Sequence, residues 1–121
     1  MLNNNLTNKV NDLNKLVSNF NYLAAHEKYY HQNLVKHENE DAPTLGLDNH
    51  KKEMEVFLSK ISNNSAKVLD VIISDNISIT EWQYQFDHAE WGKRDFREVS
   101  IQRWEEGKII HERHLYKTKN W

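Results

Sequence analysis

The sequence has no cysteine, only three glycines and one proline in 121 residues. Without cysteine there is no thiol nucleophile, no disulfide and no thiolate metal site, which fits a cytoplasmic setting. The glycines Gly46, Gly92 and Gly107 lie far apart, so no glycine-rich phosphate loop exists, and no serine sits in a nucleophile elbow. An excess of one charge is also missing. The net charge is −2 with histidine neutral, and basic residues are interspersed with acidic ones. That supplies no field for nucleic acid or an anionic membrane. Long apolar runs are absent too. Met1 to Asn5 is asparagine-rich and lacks a basic region leading into an apolar stretch, so neither a signal peptide nor a membrane span is expected, and residues 1–5 are expected to be flexible.

What is present is an ordinary globular composition, 38% hydrophobic and 28% charged, in a length suited to one domain spanning residues 1–121. Lys67 to Lys117 reads as four strands joined by three turns. Val68 to Ser74 is rich in β-branched residues, Asp75-Asn76 is a two-residue turn, and Ile77 to Phe86 alternates apolar and polar residues. After a break from His88 to Arg94, Phe96 to Trp104 alternates again. Glu105-Glu106-Gly107 then turns the chain into Lys108 to Lys117. Consecutive strands with short loops pair antiparallel.

The N-terminal half is helical. Leu6, Val10, Leu13, Val17, Phe20 and Ala24 recur at spacings of four and three, marking an amphipathic helix. The pattern breaks near Asn21 and resumes through Ala25 to Tyr30, as one kinked helix or as two. Leu34 to Glu38 reads as a short strand along the sheet's far edge. A polar loop through Pro43 follows, closed by Gly46, and then a helix capped by Asp48 with Met54, Phe57, Leu58 and Ile61 as its apolar stripe, ended by Ser62-Asn63-Asn64-Ser65. The order predicts an α+β fold with helices gathered on one face of a sheet.

Three stretches carry a family resemblance: Tyr30 to Asn39, Ala42-Pro43-Thr44-Leu45-Gly46, and Val99 to Ile110 with its Glu-Gly-Lys-Ile turn. Together they resemble the SnoaL-like branch of the nuclear transport factor 2-like superfamily, over roughly residues 20–117. The resemblance implies a cone-shaped half-barrel, a curved, mostly antiparallel sheet wrapped around N-terminal helices, with an apolar pocket inside and a homodimer through the sheet. Members include polyketide cyclases, ketosteroid isomerases, dehydratases and non-catalytic binding domains, so membership speaks to architecture more than to activity. The strand on which the cyclases carry a catalytic aspartate aligns here with the last strand, and that position is His114.

Strand parity nominates a site. Trp82, Tyr84, Phe86 and His88 share one face of their strand; Glu98, Ser100, Gln102 and Trp104 share a face of the next; Ile110, Glu112, His114 and Tyr116 share a face of the last. A three-residue turn at Glu105-Glu106-Gly107 pairs Trp104 with Lys108 and sets Glu98 opposite His114. A two-residue turn instead brings Val99 opposite His114. In the first register His114, oriented by Glu98, is a candidate general base acting next to a carbonyl, with Glu112 a further catalytic candidate. Trp82, Tyr84, Phe86 and Trp104 are candidate ligand contacts, and Tyr116 a donor to an enolate oxygen. His37 and Glu38 end the short strand at the cone mouth and are further ligand candidates. The bland alternative is a cross-strand polar pair and an aromatic row in a core or dimer contact, with the odd-numbered face of Val99, Ile101, Ile109 and Leu115 buried instead. Trp91, in the hairpin loop, either caps the pocket or packs against a partner.

His37, Glu38 and Glu40 match no metal motif and His111-Glu112-Arg113-His114 splits its histidines between faces, so no metal is expected; proton abstraction also needs no organic cofactor. The first expectation is a domain binding a small apolar or carbonyl-containing molecule, with isomerase, cyclase or dehydratase chemistry by proton abstraction as its catalytic form. The alternatives are a non-catalytic apolar-ligand-binding domain and a dimerisation module.

Overall fold

The computed structural model describes residues 4–118. Two helices, α1 (Asn4–Ser18) and α2 (Tyr22–Tyr29), lead into strand β1 (Tyr30–Glu38), the short β2 (Thr44–Leu45), helix α3 (Leu47–Ser59) and the strands β3 (Ile61–Ser74), β4 (Ile77–His88), β5 (Gly92–Glu105) and β6 (Lys108–Tyr116). The strands form one sheet in the order β2-β1-β6-β5-β4-β3. The predicted meander is its larger part, and the α+β half-barrel with N-terminal helices is the fold observed. No helix among the described residues is long and apolar enough to cross a membrane.

The N-terminal pattern resolves into two helices. Phe20 takes φ 56°, and the Asn21 amide reaches back to the Leu16 carbonyl at 2.9 Å while Phe20 bonds Val17. This paired closure satisfies the last carbonyls of α1 and turns the chain, with phenylalanine where glycine is usual. Val10, Leu13 and Val17 of α1 are buried against Leu34, Trp104 and Ile109 of the sheet. Each such apolar side chain contributes about 1.5–3 kcal/mol on leaving water. Asn4 and Asn5 belong to α1; residues 1–3, the rest of the stretch expected to be flexible, lie outside the described residues.

Five local readings are corrected. Tyr30 opens β1 rather than closing a helix, and β1 is not the edge: it pairs in parallel with β6, while Thr44–Leu45 supplies the edge strand. Gly46, at φ 87°, takes the N-cap position of α3, and Asp48 lies in the first turn, where a carboxylate favours the helix N-terminus. Ser62 to Ser65 does not end that helix but lies in β3, whose pairing with β4 slips there as Asn63 adopts φ 51°. Ile61 belongs to the same strand. Turn residues mark a bulge here as readily as a loop, because both need left-handed backbone.

The last hairpin decides the site, and it follows neither predicted register. Its turn has two residues, Glu106 and Gly107, both at positive φ, with Glu105 opposite Lys108. That arrangement suits the twist of the flanking strands. Alone it would set Val99 opposite His114. A bulge between the Trp104–Ile109 and Arg103–His111 pairs inserts Ile110 without a partner. The extra residue restores the lost parity. Ser100 now faces His114, Gln102 faces Glu112 and Glu98 faces Tyr116. Ile109, not Ile110, takes the buried position at the start of the strand.

Candidate functional site

On β4 and β5 burial falls on the even-numbered residues, so Trp82, Tyr84, Phe86, Ser100 and Gln102 point inward. Between this face and the helices lies a cavity of about 480 Å³. Its size and largely aromatic lining suit a small organic molecule. Trp82 stacks on Tyr84 at 5.5 Å between ring centroids, and Tyr84 stacks on Phe96 at 5.8 Å. Helix α3 contributes His50, Met54 and Phe57, and β1 contributes Lys36 and Glu38. Trp91, half exposed at the hairpin tip, also lines the cavity and lies flat on His88.

The polar wall centres on His114. Its Nε2 lies 3.1 Å from Glu112 Oε1 and its Nδ1 3.4 Å from Glu98 Oε2. Ser100 Oγ stands 2.9 Å from the same Nδ1 and bonds Glu98 Oε2 at 3.4 Å. Glu112 is 1% exposed. Its second oxygen accepts hydrogen bonds from Tyr30 Oη at 2.6 Å and Gln102 Nε2 at 2.7 Å. Behind it Ser78 donates to Gln102 and Trp104 Nε1 donates to Ser78. Burial disfavours charge on both partners, yet the attraction prevails. The two carboxylates hold the His114 pKa well above the ordinary value, and the imidazolium holds Glu112 well below the usual carboxylate range. His114 is therefore an imidazolium between two acids.

Two further features flank this array. His26 and His50 pack ring to ring, 4.7 Å apart, and both are buried. Burial pushes their pKa values down, to about 4 for His26 and about 3 for His50, so both are neutral. Glu38 receives the Tyr116 hydroxyl at 3.2 Å on Oε1, its buried Oε2 has no hydrogen bond, and burial raises its pKa.

Of the residues nominated from sequence, Glu98, Glu112, His114, Trp82, Tyr84, Phe86, Tyr116 and Glu38 all line the cavity. Trp104 and His37 are not brought to it. Trp104 is 3% exposed in the helix-packed core, edge-on to Tyr29. His37 faces away from the cavity beside His111, with Nδ1 3.2 Å from the Asp41 carbonyl. Sequence reasoning missed Lys36, His50, Tyr30 and the part played by Ser100. The signals were present: Leu34, Lys36 and Glu38 alternate on one strand face, and His50, Met54 and Phe57 follow helical spacing. Among the described residues no group of three or more histidine and acidic side chains is arranged to hold a metal.

A family model for SnoaL-like polyketide cyclases matches residues 9–118. Solved structures share the architecture at low identity. A Mesorhizobium loti protein assigned as a SnoaL-like polyketide cyclase superposes with TM-score 0.79 at 16% identity, covering 90% of this chain and 97% of that one. A Burkholderia pseudomallei NTF2-like protein of unknown function gives 0.80 at 10% identity, covering 97% and 92%. An LEH-like epoxide hydrolase of M. tuberculosis gives 0.74 at 11%, covering 91% and 80%. A search of curated protein sequences finds no match.

Proposed function

Because the chain belongs to the SnoaL-like polyketide cyclase family, we propose that it binds a small, apolar, carbonyl-containing molecule and moves a proton next to the carbonyl without a cofactor. The observation that carries this reading is the Glu98–His114–Glu112 array on the wall of an aromatic cavity. The roles differ from a histidine base. An imidazolium whose two nitrogens both face oxygen has no lone pair with which to take a proton. Glu112, held by three donors, fixes His114 in that form. Glu98 lines the cavity and accepts only at Oε2, so its other oxygen is available to remove the proton. The positive charge of His114, on the same cavity wall, then stabilises the negative charge developing on the substrate.

The test is α-proton exchange of 2-acetonaphthone in D₂O, followed by NMR. Wild-type protein should accelerate exchange above buffer, and Glu98→Gln should slow it by about 10²-fold or more. Exchange no faster than buffer, or unchanged in Glu98→Gln, would overturn the catalytic reading. Binding without exchange leaves the non-catalytic ligand-binding domain, a reading favoured by how completely the array satisfies its own donors.

The partner reading places a homodimer on the opposite sheet face. There Ile72, Ile79 and Ile101 stand directly across from one another on three strands, and Val99 pairs with Leu115. Ile72 is 56% exposed. An apolar ladder of this kind suits burial against a second copy.

A further inference from the structure

The cavity holds a second buried cation whose hydrogen bonds are unused. Lys36 lines the cavity on β1 with its side chain 8% exposed. Its Nζ lies 3.4 Å from Glu53 and 3.9 Å from Glu38, and neither contact is a hydrogen bond. Glu53 Oε1 already accepts from Thr44 at 2.7 Å, and Glu38 Oε2, itself without a hydrogen bond, stands too far away at 3.9 Å. The contrast with His114 is direct, since that cation is bonded on both sides. An ammonium taken out of water without hydrogen bonds is costly, and an acceptor entering the cavity would relieve the cost.

Charge limits what that acceptor is. Lys36 and His114 are each flanked by two carboxyl groups, and Arg94, the third cation of the lining, is engaged elsewhere, including with the Lys93 carbonyl. Four carboxyl groups, Glu38, Glu53, Glu98 and Glu112, line the cavity against the three cations, so an incoming anion meets a surplus of acids, whereas a neutral oxygen can accept from Lys36 without confronting Glu38.

We propose that Lys36 is the ligand-anchoring residue of the cavity, donating to the carbonyl oxygen of a neutral ligand, and that the cavity selects neutral carbonyl compounds over carboxylates. This rests on the small-molecule reading above and names its ligand class. During proton abstraction the same ammonium would face the oxygen on which negative charge gathers, with Glu98 lining the same cavity.

Three probes of one size test it: 2-acetonaphthone labelled with ¹³C at the carbonyl, naphthalene-2-carboxylate and 2-ethylnaphthalene, with affinities from titration calorimetry and the bound carbonyl stretch from infrared difference spectra. The ketone should bind about tenfold or more tighter than the carboxylate. Its carbonyl stretch should fall below the value in an apolar solvent. In Lys36→Met the stretch should rise again while 2-ethylnaphthalene still binds, which shows an intact cavity. Equal affinity for ketone and carboxylate would overturn the proposal alone, as would a bound stretch in the wild type at the apolar-solvent value, a result that needs no variant. Failure of all three probes to bind would overturn the small-molecule reading and this proposal with it.

Discussion

Histidine makes opposite demands at two places in this molecule, and together they predict a stability maximum. His114 gains protons on folding, because its folded pKa lies well above the ordinary value of 6.5. Its contribution is complete below pH 6.5 and is lost as pH rises through the folded value. His26 and His50 behave in the reverse sense, with folded values of about 4 and about 3, below the same ordinary value. The unfolded chain protonates them as pH falls below 6.5, so stability declines on that side. Urea midpoints should therefore peak near pH 6.5. His114→Gln should flatten the alkaline limb and His50→Phe the limb between about pH 3 and 6.5. A profile unchanged by either substitution would contradict the assignment of protons. Strand parity placed acids near His114, but the burial of His26 and His50 was not readable, since a histidine in a sequence carries no record of its depth.

At the scale of elements, the last hairpin shows how one residue sets the chemistry. Strand alternation and turn chemistry made β4, β5 and β6 legible, and Glu105 to Gly107 marked the reversal. The unpaired Ile110 was not legible, because a bulge leaves no signature in alternation when an isoleucine occupies it. Deleting Ile110 should turn Glu112, His114 and Tyr116 to the outer face, leaving the Tyr30 and Gln102 donors without Glu112. Such a chain should fail to fold or lose about 3–5 kcal/mol, measured by denaturant unfolding. Ile110→Ala keeps the register and should cost no more than about 2 kcal/mol. At the turn, Gly107 has φ 80°, and an added Cβ would lie 3.2 Å from the Lys9 side chain. Gly107→Ala should destabilise by about 1–2 kcal/mol, chiefly through the left-handed backbone.

For the whole molecule, the two faces of the sheet divide the labour. The inner face carries the aromatic row and the acids; the outer carries the ladder of Ile72, Ile79 and Ile101. If that ladder joins two copies, sedimentation should report a dimer, and Ile101→Lys should give monomers with the cavity's ligand affinity unchanged. A monomeric wild type at micromolar concentration would remove the dimer from the reading.

The sequence by itself determined the helical start, the four-strand meander and the α+β class, because hydrophobic period and turn residues are local properties of the chain, and its family resemblance implied the half-barrel, while the choice between the even- and odd-numbered faces waited for the structure. It also brought Glu98, Glu112 and His114 into one neighbourhood, since parity groups residues by face. Tertiary structure alone decided their pairing, which depends on an unpaired Ile110, and the parallel docking of β1, which carries Lys36 and Tyr30 to the site from far along the chain. It also decided which groups bear charge. Register, long-range pairing and protonation are set by contacts between distant segments, and those energies exist only once the chain has closed on itself.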